Sequence, residues 1–149
     1  MTARAFSRIL VAVDDSPAAL AAVEVAVTLA TQSGARIRFV HVITDGEVLR
    51  ALTRMGRDGH QTTQREIASE SLLRHVALGA DRAGVAADTV SVSGDPAGLL
   101  LDAVRSWDAD LLVLGRSDVG QVGRAYVGDV TRGVLEFSET PILIVPSPS

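Results

Sequence analysis

No cysteine occurs anywhere in the 149 residues, which removes disulfides, thiolate zinc sites, iron–sulfur clusters and cysteine nucleophiles together. An intracellular, cytoplasmic address is the simplest expectation. Lysine is missing too, since all 14 basic residues are arginine. That excludes a Walker A lysine, a Schiff base, pyridoxal-phosphate chemistry and the kinase strand lysine. A compositional bias that replaces lysine with arginine accounts for the absence without a functional reason. Aromatic residues make up only 3% of the chain, and the arginines are scattered through a sequence of net charge −4. Without a basic stripe, no nucleic-acid partner is expected. No run approaches the roughly eighteen apolar residues of a membrane span, so no membrane association is expected. The N-terminal apolar run from Ile9 to Val13 is stopped at once by Asp14 and Asp15, too early for a signal-peptide core.

What is abundant is aliphatic. Hydrophobic residues reach 47% and charged residues 21%, in a length that suits one domain with a close-packed core, residues 1–149. Ile9-Leu-Val-Ala-Val13 reads as a strand buried on both faces. Asp14-Asp-Ser-Pro17 then opens a helix, with Ser16 able to cap it and Pro17 suited to its first position. Leu20, Val23, Val27 and Ala30 recur at helical spacing until Gly34, a C-terminal stop. A second strand, Ile37 to Val42, completes a strand–helix–strand unit, which implies a right-handed parallel crossover.

Residues 43 to 61 read as a mobile loop, punctuated by Gly46, Gly56 and Gly59, with a short helical turn near Val48 to Leu52. Helical periodicity resumes from about Thr62 to Arg82 through Leu72, Leu73, Val76, Ala80 and Ala83, ending at Gly84. Thr89-Val-Ser-Val-Ser93 alternates as a half-exposed strand near a sheet edge does. Asp95-Pro96 opens a helix with Leu100, Val104 and Trp107 inward. Asp110 to Leu114 is a fourth strand, Asp129 to Phe137 a fourth helix, and Pro141 to Val145 a fifth strand. Five strands alternating with four helices predict a doubly wound α/β domain with a parallel sheet. Ligands of such sheets bind beyond the carboxyl ends of the strands, so the loops after Val13, Val42 and Leu114 are the expected site.

The loop Gly115-Arg-Ser-Asp-Val-Gly-Gln-Val-Gly-Arg-Ala-Tyr-Val-Gly128 joins a buried strand to a helix. Backbone N–H groups and a helix N-terminus can hold an anion there, or the loop can be a flexible connection. It is not a Walker A loop, because Gln121 and Val122 stand where Lys and Ser/Thr are required. It is neither a G-x-G-x-x-G dinucleotide loop nor a G-x-S-x-G nucleophile elbow, whose closing glycine is absent. Arg116 and Arg124 are candidate anion contacts, the plainer reading being solvated side chains or partners of local acids. Asp14, Asp118 and Asp129 have the oxygen ligands for a divalent cation if they converge. His41, His60 and His75 have no metal spacing; His41 reads as a strand residue, the other two as exposed, and Trp107 as packing. No metal is expected.

Ile9-Leu-Val-Ala-Val-Asp-Asp-Ser16, Phe39-Val-His-Val42, Gly94-Asp-Pro96, Asp108-Ala-Asp-Leu-Leu-Val-Leu-Gly115 and Thr140-Pro-Ile-Leu-Ile-Val-Pro146 occur in an order and spacing that resembles a universal stress protein domain of the UspA type, from about Arg8 to Pro146. The resemblance implies an adenine nucleotide alpha-hydrolase-like fold with strand order 3-2-1-4-5. Nucleotide-binding members of that family read Gly-x-x-Gly, nine residues, then Gly-Ser or Gly-Thr in the last loop. Gly115 and Gly128 match. Asp118 replaces the second glycine, and Asp129 the hydroxyl residue. By the same resemblance, Asp14 lies near the ribose and phosphates, and Val42 offers a backbone contact to adenine. The resemblance also implies a homodimer formed through the last strand, Ile142, Leu143, Ile144 and Val145.

The two replacements oppose a triphosphate. Asp118 restricts the backbone where glycine permits positive φ. Each carboxylate set against a phosphate at roughly 4 Å costs on the order of 4 kcal/mol at an effective dielectric near 20. Asp129 at a helix start can itself accept the helix N–H groups. The expectation is a non-enzymatic stress-response protein with no cofactor, an unidentified protein partner and no tight ATP site. The alternatives are a sensor that takes AMP, ATP with Mg or a cyclic nucleotide through the modified Gly115-to-Gly128 loop, and a weak nucleotide hydrolase.

Overall fold

The structure, a computed structural model, describes residues 5–44, 60–116 and 129–148. In chain order the elements are β1 (Arg8–Ala12), α1 (Pro17–Ser33), β2 (Arg36–Thr44), α2 (His60–Arg82), β3 (Ala87–Gly94), α3 (Pro96–Trp107), β4 (Leu111–Gly115), α4 (Asp129–Phe137) and β5 (Ile142–Val145). All four strand pairings are parallel, in the order β3-β2-β1-β4-β5. The doubly wound fold expected from the sequence is the one observed.

Alternation along the strands divides the core into two layers. Ile9, Val11, Ile37, Phe39, Leu111 and Val113 meet Ala22, Ala26 and Ala30 of α1 and Leu73, Val76 and Ala80 of α2. Leu10, Val40, Leu112 and Leu114 turn to the other face, against Leu100 and Val104 of α3 and Val134 of α4. Both faces of the central strands are therefore covered, which is why their sequences run continuously apolar.

The caps follow the sequence. Ser16 Oγ accepts from Ala19 N–H at 3.1 Å, with Pro17 at the first helical position. Gly34 ends α1 in the left-handed region at φ 73°, where glycine carries no Cβ penalty. Asp95 accepts from Gly98 N–H at 3.0 Å to open α3. The boundaries shift modestly: β1 begins at Arg8 and ends at Ala12, β2 and β3 are longer than expected, and α2 begins at His60. Residues 45–59 and 117–128 lie outside the described residues, so the turn near Val48 and most of the glycine loop are not part of this description.

Two packing expectations change. Leu20 is 38% exposed; the inner face of α1 is built from Ala18, Ala19, Ala22, Ala26 and Ala30 instead, because small residues let the helix axis lie close to the sheet. Ala83 follows the end of α2 and is exposed. Trp107 is half-buried and packs, as expected, against the core layer of Leu100 and Val104. The guanidinium carbons of Arg8 and Arg38 stand 5.6 and 5.0 Å from its ring centroid, a cation–π arrangement.

Around it, polar groups join the amino-terminal ends of the strands. Arg8 Nη1 donates to the Trp107 carbonyl at 2.7 Å, and Arg38 forms a bidentate pair with Asp88 at 2.8 and 2.9 Å. Asp110 accepts from Ser7 N–H, Ser7 Oγ and Arg8 N–H at 2.9, 2.9 and 3.0 Å. Partial burial opposes ionisation of Asp110, but those hydrogen bonds outweigh it and hold the carboxyl below the usual range. The Arg38 hydrogen bonds lower Asp88 likewise.

A carboxylate whose pKa is lower in the folded chain stabilises it at neutral pH and loses that contribution as the pH falls through the folded value. The urea midpoint is therefore expected to hold down to about pH 5 and to fall below about pH 4. Asp110→Asn flattens that acid limb. Urea titrations of both proteins from pH 7 to 3 check it, and parallel curves would exclude Asp110 as a source of the acid sensitivity.

Candidate functional site at the carboxyl ends of the strands

The chain winds from β1 to β2 and β3 on one side of the sheet and from β4 to β5 on the other. The switch point lies between β1 and β4, where the two halves diverge and leave a crevice. The register pairs Ala12 with Val40, and Val13 N–H extends the ladder to the Val40 carbonyl at 2.8 Å. On the other side Val11 pairs with Val113. Asp14 lies two residues beyond the end of β1, Val42 near the end of β2 and Gly115 at the end of β4, so all three of these sequence-derived positions belong to the carboxyl-end rim of the parallel sheet.

Each of them has a structural duty. Asp14 is exposed, and its Oδ1 accepts from Ser16 N–H at 2.7 Å, closing the turn that starts α1. The Val42 side chain packs against the α3 and α4 layer. Gly115 is set by close approach: a Cβ there would lie 2.5 Å from both the Ala18 carbonyl carbon and the Ala19 nitrogen, and 2.7 Å from the Ala18 oxygen. The first turn of α1 rests directly on the last residue of β4.

Arg116 continues β4, its N–H donating to the Val145 carbonyl at 2.7 Å. Asp129 is the exposed first residue of α4, in the turn where a carboxylate is favoured by the unpaired N–H groups. Asp118, Arg124 and Gly128 lie outside the described residues, so the convergence of Asp14, Asp118 and Asp129 is not part of this geometry. Among the described residues no group of three or more His, Asp or Glu side chains is placed to hold a metal ion. Within them, too, no helix is long and apolar enough to cross a membrane.

One feature escaped the reading of the sequence. Ser69, only 2% exposed, lies 2.6 Å from His41 Nδ1 and 2.9 Å from Ser91 Oγ. These hydroxyls and the imidazole join α2, β2 and β3. The signal was present: Ser69 stands three and four residues before Leu72 and Leu73, on the apolar stripe of α2, and His41 and Ser91 are register partners. Taken by itself His41 reads only as a strand residue, and a single histidine carries no such message.

A five-stranded parallel sheet of this order is a doubly wound α/β fold, and solved structures of the adenine nucleotide alpha-hydrolase-like fold share it. The hypothetical protein MJ0577 superposes with a TM-score of 0.84 at 17% identity, covering 97% of this chain and 99% of that one. A universal stress protein in complex with cAMP gives 0.71 at 24% identity over 97% and 99% of the two chains. A universal stress protein family protein from Arabidopsis thaliana with AMP bound gives 0.70 at 17% over 96% and 93%. The universal stress protein family model matches residues 5–146, and the chain belongs to that family. Universal stress protein YxiE of Bacillus subtilis (strain 168) is 27% identical over 146 residues, 94% of this chain and 99% of that protein.

Gly115→Ala tests the contact that shapes the rim. With backbone atoms as the obstacle, relief requires moving α1, and a loss of about 2–3 kcal/mol is expected. Urea denaturation measures it; a change under about 0.5 kcal/mol, the scale of a neutral surface substitution, would mean that α1 yields freely.

Proposed function

We propose that this universal stress protein acts as one non-catalytic domain, residues 1–149, that keeps the nucleoside half of the family's site and has given up a tight triphosphate half. The observation that carries the reading is the carboxylate of Asp129 at the N-terminal turn of α4, together with Asp118 in the preceding loop. An acidic residue at that terminus supplies the negative charge that a phosphate would otherwise bring. A triphosphate entering beside it meets repulsion instead of a set of free N–H donors. Asp14, Val42 and Gly115, on the rim, would serve a nucleoside without any contribution from Asp118 or Asp129, and Gly128, Arg116 and Arg124 would border the loop. No cofactor is required.

An adenine-nucleotide sensor is the second reading. The cAMP and AMP complexes of structural neighbours favour it, since those ligands carry one phosphate rather than three and place less charge against the altered loop. Mg would accompany ATP or AMP in that case.

We further propose a cytoplasmic homodimer built on β5, which would also offer the surface for a protein partner. The sheet has two edges, and they differ in chemistry. β3 exposes Asp88, Thr89, Ser91 and Ser93, whereas β5 is Ile142-Leu-Ile-Val145, with its first three residues only half-buried. An apolar edge strand bonded on one side only is the surface most in need of a covering partner.

Asp118→Gly combined with Asp129→Ser is expected to bind ATP at least tenfold more tightly than the unaltered protein. Calorimetric titration of both decides it, and equal affinity would refute the assigned effect of the carboxylates. For the dimer, Ile144→Lys is expected to halve the mass seen by sedimentation; an unchanged mass in a folded variant would place the interface elsewhere.

A further inference from the structure

Gly79 stands within α2 at a place where nothing in the fold calls for a glycine. Its φ is not positive, unlike those of Gly34, Gly84 and Gly94, and a Cβ there would meet no atom within 4 Å. Glycine weakens a helix relative to alanine, because it leaves the unfolded chain freer and adds no side chain to the packing. The space above Gly79 is therefore kept open at a cost to the helix. It belongs to a groove of about 470 Å³ that runs between α1 and α2 on the outer side of their layer.

The groove is built by helical spacing. Leu20, Val23 and Val27 recur along one face of α1, and Val76 and Ala80 stand one turn apart on α2. Val23, Val76 and Ala80 are buried and form its floor, while Leu20, 38% exposed, stands at its lip. Two exposed polar side chains, one from each helix, are set into this apolar surface: Glu24 and His75. Among the described residues neither has an ion pair or a side-chain hydrogen bond. No arginine is among the described residues that line the groove, so its formal charge is that of Glu24 alone. The volume lies within the roughly 300–1,000 Å³ of small-molecule sites, which combine an apolar lining with a few placed polar groups.

We propose that this groove is a second binding site, for a small hydrophobic amine with an aromatic or aliphatic body and an ammonium end. The body lies on Val23, Val76 and Ala80, fills the space above Gly79 and has Leu20 and Val27 at its sides. The ammonium group pairs with the Glu24 carboxylate, and the His75 imidazole accepts one of its N–H groups. Charge selects this occupant over others. A nucleotide, a fatty acid or any other anion would meet a carboxylate and no guanidinium, and an uncharged apolar molecule would leave Glu24 without a partner. The groove includes none of the rim positions Asp14, Val42 and Gly115, so the inference stands apart from the nucleotide reading.

Phenylbutylamine and phenylbutyrate share a body and differ in the sign of their charge, and calorimetry with both tests the proposal in the full chain. The amine is expected to bind at least tenfold more tightly than the acid, and Glu24→Gln to weaken the amine about fivefold, the scale of an exposed ion pair. Gly79→Leu fills the groove from an exposed helical position and is expected to weaken the amine at least tenfold. Gly79→Ala is expected to raise the urea midpoint, since alanine favours the helix and meets no obstacle. A lower midpoint would show that the fold needs this glycine and would overturn the proposal. Equal affinity for amine and acid, amine binding that Gly79→Leu leaves unchanged, or no amine binding, as when a second copy of the chain covers the groove, would overturn it too. Should circular dichroism show Gly79→Leu unfolded, Glu24→Gln decides by the fivefold criterion.

Discussion

The contact between the first turn of α1 and the last residue of β4 governs the upper rim of the molecule. Only a glycine at 115 allows it, because any Cβ would stand 2.5 Å from main-chain atoms of Ala18 and Ala19. Main chain does not yield as a flexible side chain does, so the first turn of α1 is held at one distance from the end of β4 by hard contact. Asp14 and Ser16 complete the arrangement, one closing the turn and the other capping the helix. The candidate ligand residues therefore sit on a scaffold whose geometry does not depend on a ligand. Gly115 and Asp14, which resemble the family's binding residues, are at the same time needed for the packing and capping of α1.

The two ends of the sheet solve different problems. At the amino-terminal end, Asp110 gathers three donors and Trp107 lies between two arginines, so charge is used there to tie strand ends together. With neither cysteine nor lysine available, arginine carries this work, and its planar guanidinium suits both the bidentate Asp88 pair and the stacking on the indole. At the carboxyl end Asp14 and Asp129 are exposed, and Arg116 continues β4 at the strand end.

The altered phosphate loop gives the family relation its particular meaning. Fold alone does not specify function, which resides in the site. By the resemblance, Asp118 and Asp129 stand where nucleotide-binding members of the family carry a glycine and a hydroxyl residue, and the proposed reading follows from that: two added carboxylates suit a ligand of low charge better than a triphosphate.

The order of elements, the strands buried on both faces, the caps at Ser16, Gly34 and Asp95 and the edge character of β3 were all legible in the sequence, because each depends on residues close together in the chain. Periodicity and capping are local properties, and they determined the α/β class. The register that pairs Ala12 with Val40, the steric need for Gly115 and the alanine face of α1 were not legible, since each depends on what lies across a ladder or a helix–sheet contact. The meeting of His41, Ser69 and Ser91 is the clearest instance. Between 22 and 50 residues separate its members, none is unusual where it stands, and only the folding of α2 over β2 and β3 turns three ordinary polar residues into one hydrogen-bonded network around the buried Ser69.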